Sequence, residues 1–375
     1  MSLIWPATEA QIVTNAPRLH AFVVAVADYP HLNGGAGPLA LQPLGLSQVT
    51  TPRYTGLAIA DWLLTRYQNP ACPLGSVEML LSPTEPVPSR NGPVVAEAAT
   101  MAKIEAAFMR WKNRCSGDPG NIAWFYFCGH GVSKDAQYLL PGDYGDPGIF
   151  QWKNNIDFDG LRVGMRSCAA QTQIFFVDAC RETPLALLTQ LNVRGNALTD
   201  AGFADSVNCS AAYYATTPGR QAYGPDNGVT YFGQALLSCL NGVGAIKKGP
   251  NWVVDTYSLG NALGQTMVQL ARRHRQPLSC NPDPSGMGRI NHVLGPRVIA
   301  AVSCTSEAAN GVADISIRRG ATALHSAPGQ PKPFIEEVDA GDWTIAVTFP
   351  GNQFASRPPE GYTFIPPVFE GVEVP

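Results

Sequence analysis

No apolar run in the 375 residues approaches the length of about 18 needed to cross a bilayer. The longest candidates are strand-sized pieces such as AFVVAVA at 21 to 27. A soluble chain with no membrane partner is therefore expected. The N-terminus, MSLIWPATEAQ, lacks a basic region leading into an apolar core, so it does not read as a secretion signal. The nine cysteines form neither CxxC pairs nor a tight disulfide spacing, which fits reduced thiols and a cytoplasmic location. Charge of one sign is also lacking. With 26 Lys+Arg against 29 Asp+Glu, a formal charge of −3 gives no global reason to expect nucleic acid as a partner. No P-loop or dinucleotide fingerprint occurs, and His20, His31, His274, His292 and His325 make no metal-ligand spacing, so neither cofactor nor metal is implied.

What is present is apolar content of 45%, enough for a substantial core, arranged as strand signals alternating with helix signals. His20 to Ala27 (HAFVVAVA), Val77 to Leu81, Ile122 to Cys128 (IAWFYFC), Gln173 to Val177 (QIFFV) and Ala211 to Ala215 read as strands. The dense apolar runs among them are expected to be buried on both faces. Between and after them, Tyr54 to Tyr67, Val94 to Trp111, Ile156 to Met165, Tyr231 to Leu240 and Tyr257 to His274 predict helices. The pattern predicts an α/β domain over 15–296, a mostly parallel sheet with helices on both faces. Arg272, Arg273, His274 and Arg275 close the last helix and read as a solvated end complementing the helix dipole. From Pro296 onward, short alternating pieces (VIAAVSC, VADISIRR, WTIAVTF) predict a small β-sandwich-like domain over 297–375.

Two strand ends carry reactive residues, where loops of a parallel sheet converge over a rigid platform. IAWFYFC leads into Gly129-His130-Gly131, and QIFFV leads into Asp178-Ala179-Cys180-Arg181. Glycine on both sides of His130 permits a tight turn and close approach of a substrate carbonyl to the Gly131 amide. A thiol needs a base to become a thiolate nucleophile, and an imidazole on an adjacent strand end can serve. Alone, each residue reads more readily as a packed structural one; the two motifs, about fifty residues apart, form a far more specific combination. Cys128 is expected to face the core. Cys72, Cys115, Cys168, Cys209, Cys239, Cys280 and Cys304 read as packing residues.

On these residues the chain resembles the caspases, metacaspases and their bacterial relatives. The caspase nucleophile signature is Gln-Ala-Cys-(Arg, Gln or Gly)-Gly, and here Asp178-Ala179-Cys180-Arg181-Glu182 departs at its first and last positions. The resemblance also takes in HAFVVAVADYP, YLLPGDY at 138 to 144, YYATTPGRQAY at 213 to 223 and VTYFGQALLSCL at 229 to 240. It implies a caspase-hemoglobinase fold and a thiol endopeptidase that cleaves protein or peptide substrates through a thioester, with His130 and Cys180 as catalytic dyad. A regulated, bacterial-type proteolytic response with a regulatory protein partner fits that reading. By position, the backbone amides of Gly131 and Cys180 would form the oxyanion hole.

Metacaspases carry an acid where Asp178 stands and use it to hold Arg or Lys before the cut, so the resemblance implies a basic preference. The alternative is that Asp178 only caps a helix or holds a loop. Metacaspases also place an acid before the helix that follows the first loop, whereas this chain has Pro52-Arg53-Tyr54-Thr55-Gly56. Asp226 could supply the missing acid, or Arg53 could act as a basic pocket residue. Arg194-Gly195 lies where relatives carry a cleavable linker, and reads either as a self-cleavage site or as an ordinary surface loop. Two competing functions remain open: a catalytically silent caspase-like scaffold, and a cysteine hydrolase of esters or small amides.

Overall fold

A computed structural model describes residues 2–6, 15–89, 92–188, 193–199 and 207–371. They divide into two compact units: Met1–Gln234 with Cys280–Gly288, and Ala235–Ser279 with Arg289–Pro375.

The first unit is built on a seven-stranded mixed sheet. In spatial order its strands are Leu3–Trp5, Leu74–Ser82, Leu19–Val26, Ile122–Cys128, Thr172–Asp178, Cys209–Tyr214 and Asn281–Asp283. The five inner strands are parallel, and the two edge strands run antiparallel to their neighbours. Leu19–Val26 and Ile122–Cys128 are buried at every position, which is why they read as unbroken apolar runs rather than alternating ones.

Alternation along each strand assigns side chains to the two faces. On one face Phe22 and Phe125 meet Phe108 and Trp111 of the Met101–Cys115 helix, with Phe22 and Trp111 stacked at 5.6 Å. On the other, Trp62 of the Thr51–Thr65 helix stacks on Trp124 at 5.9 Å, and Phe176 continues the layer. Gly56 lets that helix come close: a Cβ there would lie 2.5 Å from the Ala25 Cβ. The helix expected from Val94 begins only at Met101. Val94 and Val95 pair as a strand with Pro86–Val87, Glu97 accepts the Leu81 N–H, and the Asp143 carboxylate accepts the Met101 N–H. The Ile156 to Met165 segment opens as a two-residue strand and turns helical over Phe158–Gly164, capped by the Asp157 carboxylate on the Gly160 N–H.

In the second unit the Thr256–His274 helix starts on a reciprocal cap between Asp255 and Ser258. Its basic end is paired, Arg272 with Glu370 and Arg273 with Glu336. The C-terminal strands form two sheets. Arg297–Val302 lies between Phe334–Asp339 and Val368–Glu370; the other sheet orders Thr322–Ser326, Asp314–Arg319, Gly341–Thr348 and Arg357–Phe364. Val298, Ala300 and Val302 from the first share a core with Ile315, Ile317, Trp343 and Ile345 from the second. Among the described residues no helix is long and apolar enough to cross a membrane.

Candidate active site

Ile122–Cys128 and Thr172–Asp178 pair in parallel with Cys128 opposite Asp178. His130 and Cys180 each follow two residues later, so the register delivers both to the same carboxyl end of the sheet, on adjacent strands. Leu19–Val26 pairs on the other side of Ile122–Cys128 and contributes Tyr29 beyond its own end.

His130 is held from three directions. Its backbone N–H donates to the Tyr29 hydroxyl at 2.7 Å, and its carbonyl accepts from the Leu140 N–H at 3.0 Å. The imidazole lies 4.7 Å from the Tyr29 ring centre, and its Nε2 is 2.6 Å from the Ser47 carbonyl oxygen. A carbonyl can only accept, so Nε2 carries a proton and Nδ1 holds the lone pair of the neutral ring. Burial pushes the imidazole pKa below its ordinary value, with the Ser47 bond acting in the opposite direction.

The Cys180 Sγ accepts the Ala222 N–H at 3.3 Å. Burial raises the thiol pKa, a shift that the Ala222 bond opposes and the charges of Glu182 and Asp178 reinforce. Burial therefore disfavours the charged forms of both groups, the imidazolium and the thiolate. Cys128 is buried and faces Asp178, and burial drives its thiol well above the usual range. Among the nine cysteines only Cys180 and Cys280 are partly exposed.

Gly131 begins a hairpin formed by Gly131–Ser133 and Gln137–Leu139. The hydrogen-bonded rung lies at His130 and Leu140, so the next pair, Gly131 and Leu139, is a non-bonded one and the Gly131 N–H turns away from its partner strand. A Cβ on Gly131 would lie 2.8 Å from the Cys180 carbonyl oxygen and 2.9 Å from the Ala179 Cβ. Only glycine lets these two loops come this close.

Asp178 is buried on the same face as Tyr126 and Cys128. Its Oδ2 accepts the Tyr126 hydroxyl at 2.8 Å and the Thr230 hydroxyl at 2.5 Å. Oδ1 is buried and makes no hydrogen bond within the usual geometric limits, although Cys128 is close enough to exert a small favourable pull. Burial raises the carboxyl pKa to about 6 against the hydrogen bonds that lower it. Thr230 is fixed in turn: its N–H donates to the Thr55 hydroxyl at 2.9 Å, and its own hydroxyl accepts from Gly233.

The structure brings His130, Gly131, Asp178 and Cys180 to one end of the sheet. It does not join Asp226 to them by any bond; that residue is exposed, in a loop whose Asn227 N–H reaches Thr50. Arg53 makes a two-pronged pair with Glu85 and lies over the Tyr54 ring, so it is already neutralised. Arg194 is exposed, but the following residues are strapped down: Asn196 bridges Ile156 through Asp157 N–H to Asn196 O and Asn196 N–H to Asn155 O, both 3.0 Å. Cleavage at 194–195 would require that strap to open. Tyr29, Ser47, Gln137, Ala222, Tyr126 and Thr230 all touch the site and were not legible from the motifs. Tyr29 had one signal, its place in Ala27-Asp28-Tyr29-Pro30 at a strand end.

Residues 91–276 match the family model described as a caspase domain. That match defines the class of the domain. Over those residues the chain is similar to the caspase-like cysteine peptidases. It is 27% identical over 321 residues to an uncharacterized protein of Sinorhizobium fredii, covering 77% of this chain and 90% of that one. It is also 26% identical over 201 residues to a probable protease of a Desulfuromonadales bacterium, covering 51% of this chain but only 23% of that longer protein. The crystal structure of caspase-1 from Spodoptera frugiperda aligns at a TM-score of 0.41 and 13% identity, covering 76% of this chain and 95% of that one.

Proposed function

We propose that the protein is a cysteine endopeptidase in which Cys180 is the nucleophile and His130 the general base and acid, cutting after Arg or Lys. The observation that carries this reading is the equal offset of His130 and Cys180 beyond the Cys128–Asp178 pair, together with the Ser47 bond that leaves Nδ1 as the basic nitrogen. The Cys180 thiol gives its proton to Nδ1, and Sγ bonds to the scissile carbonyl carbon while the carbonyl electron pair moves onto oxygen. The Gly131 and Cys180 N–H groups hold that oxyanion. Collapse breaks the C–N bond, and the amine leaves with the proton from His130. Water then adds to the thioester as His130 removes its proton, and Sγ departs and is reprotonated.

The basic preference rests on Asp178, whose buried carboxylate has an oxygen without a hydrogen bond. An incoming guanidinium or ammonium would supply the missing donor and favour the charged form of a group now raised to about 6. In this reading 15–296 is the peptidase region and 297–375 an accessory one, within a regulated cytoplasmic response that involves a regulatory protein. Asp226, exposed and bonded to none of these residues, is given no part in holding the basic side chain.

The competing reading is a silent scaffold, favoured by the resting bond from Ala222 to Sγ and the raised thiol pKa. A fluorogenic peptide panel with Arg, Lys, Asp or Leu before the scissile bond separates the two. The peptidase reading expects cleavage after Arg or Lys, abolished in Cys180→Ala and weakened in Asp178→Ala. Cleavage after another residue would remove the account of the pocket, and silence on all four would support the scaffold.

A further inference from the structure

The hairpin after His130 does more than turn the chain. Its Gln137 side chain is 1% exposed, and its Nε2 donates to the Cys180 carbonyl at 3.0 Å. The same amide nitrogen occupies the space a side chain on Gly131 would need, 2.8 Å from that missing Cβ. Two further bonds fix the arrangement. The Gln137 N–H donates to the Asp159 carboxylate at 3.0 Å, and the Ser133 N–H donates to the Glu182 carbonyl at 2.8 Å. The hairpin thus grips the nucleophile loop at two carbonyls, those of residues 180 and 182.

The other end of the amide argues against a purely structural purpose. Gln137 Oε1 is buried without a hydrogen-bond partner among the described residues. A buried, half-satisfied amide is a costly way to fill space, and an aliphatic side chain would do so more cheaply. What the amide supplies, and an aliphatic cannot, is a donor aimed at the main chain of Cys180.

We propose that Gln137 is a positioning residue for the oxyanion hole: by holding the Cys180 carbonyl against the hairpin it fixes the Cys180 N–H relative to the Gly131 N–H. This rests on the peptidase reading. Holding the carbonyl of residue 180 sets the backbone torsion beside its Cα, while the Arg181 N–H is held by the Arg220 carbonyl at 3.0 Å. Oxyanion donors act only when they are aimed before the charge develops, and small misplacements cost large factors in rate. Gln137 touches neither substrate nor reacting atoms.

The test compares wild type, Gln137→Leu and Gln137→Glu in the full chain by three measurements. These are kcat and KM on a peptide the wild type cleaves, affinity for the corresponding peptide aldehyde, and alkylation of Cys180 by iodoacetamide. An aldehyde adds the thiol and places a tetrahedral oxygen in the hole, whereas alkylation forms a thioether by displacing iodide and needs no hole. Gln137→Leu should lower kcat roughly 10- to 100-fold with KM little changed. Aldehyde affinity should weaken in parallel, with alkylation unaffected. Gln137→Glu should be impaired at neutral pH and recover relative to wild type as the pH falls, because only the protonated carboxyl can donate to the Cys180 carbonyl. Equal kcat and aldehyde affinity in Gln137→Leu and wild type would overturn the inference, as would a pH-independent defect in Gln137→Glu. A wild type that cleaves no peptide and binds no aldehyde, though its Cys180 alkylates normally, would remove the peptidase reading itself and the role of Gln137 with it.

Discussion

The Tyr29 hydroxyl is spliced into the hairpin rung at His130. It accepts the His130 N–H at 2.7 Å and donates to the Leu140 carbonyl at 3.1 Å, while the other bond of that rung, Leu140 N–H to His130 O, stays direct at 3.0 Å. One tyrosine therefore spreads the mouth of the hairpin and packs its ring on the imidazole. Tyr29→Phe would leave a buried N–H and a carbonyl without their bridge. It should cost about 1–3 kcal/mol of stability, measured by urea unfolding, together with a fall in kcat.

Gly131→Ala tests how closely the two loops must approach. The added methyl would meet the Cys180 oxygen and the Ala179 Cβ at under 3 Å. Both neighbours are main-chain or short side-chain atoms that cannot swing aside. Loss of kcat/KM by about 100-fold or more is expected, with a lower melting temperature.

Asp178 links the pocket to pH. Its folded pKa, about 6, is above the ordinary carboxyl value, so the folded chain binds the proton more tightly than the unfolded chain. Its contribution to stability is present below about pH 4 and is lost as pH rises through about 6. Asp178→Asn cannot lose that proton, so its stability relative to wild type should improve between pH 4 and pH 7. Urea midpoints at the two pH values check the sign, and the same variant should lose cleavage after Arg or Lys.

The resting thiol gives a separate expectation. Because burial raises the Cys180 pKa, iodoacetamide should modify it more slowly at pH 7 than it modifies a free cysteine, with the rate still climbing at alkaline pH. A plateau near pH 7 would indicate a preformed thiolate and imidazolium pair instead.

Strands buried on both faces were legible because their composition has no polar register: Ile122–Cys128 has the bounds its apolar run predicts. The reactive pair was legible because both motifs close such strands. The onset of the Met101–Cys115 helix was not. Val94 and Val95 fit a helical face, but their backbone is taken by pairing with Pro86–Val87, a tertiary choice that outweighs periodicity. Gln137 was also illegible: its partner is a carbonyl 43 residues away, and a lone glutamine before Tyr138-Leu139-Leu140 carries no motif. Asp226 could be named as a candidate acid from its loop, but only the fold shows that it is exposed and that Thr230, four residues on, reaches Asp178.

The most direct measurement is intact-mass and peptide mapping after reaction with a peptidyl-arginine acyloxymethyl ketone, on wild type, Cys180→Ala and His130→Ala. The account predicts one adduct on wild type, mapped to Cys180, absent from Cys180→Ala and formed far more slowly in His130→Ala. An adduct on another cysteine, or equal labelling of wild type and His130→Ala, would contradict the assignment of nucleophile and base.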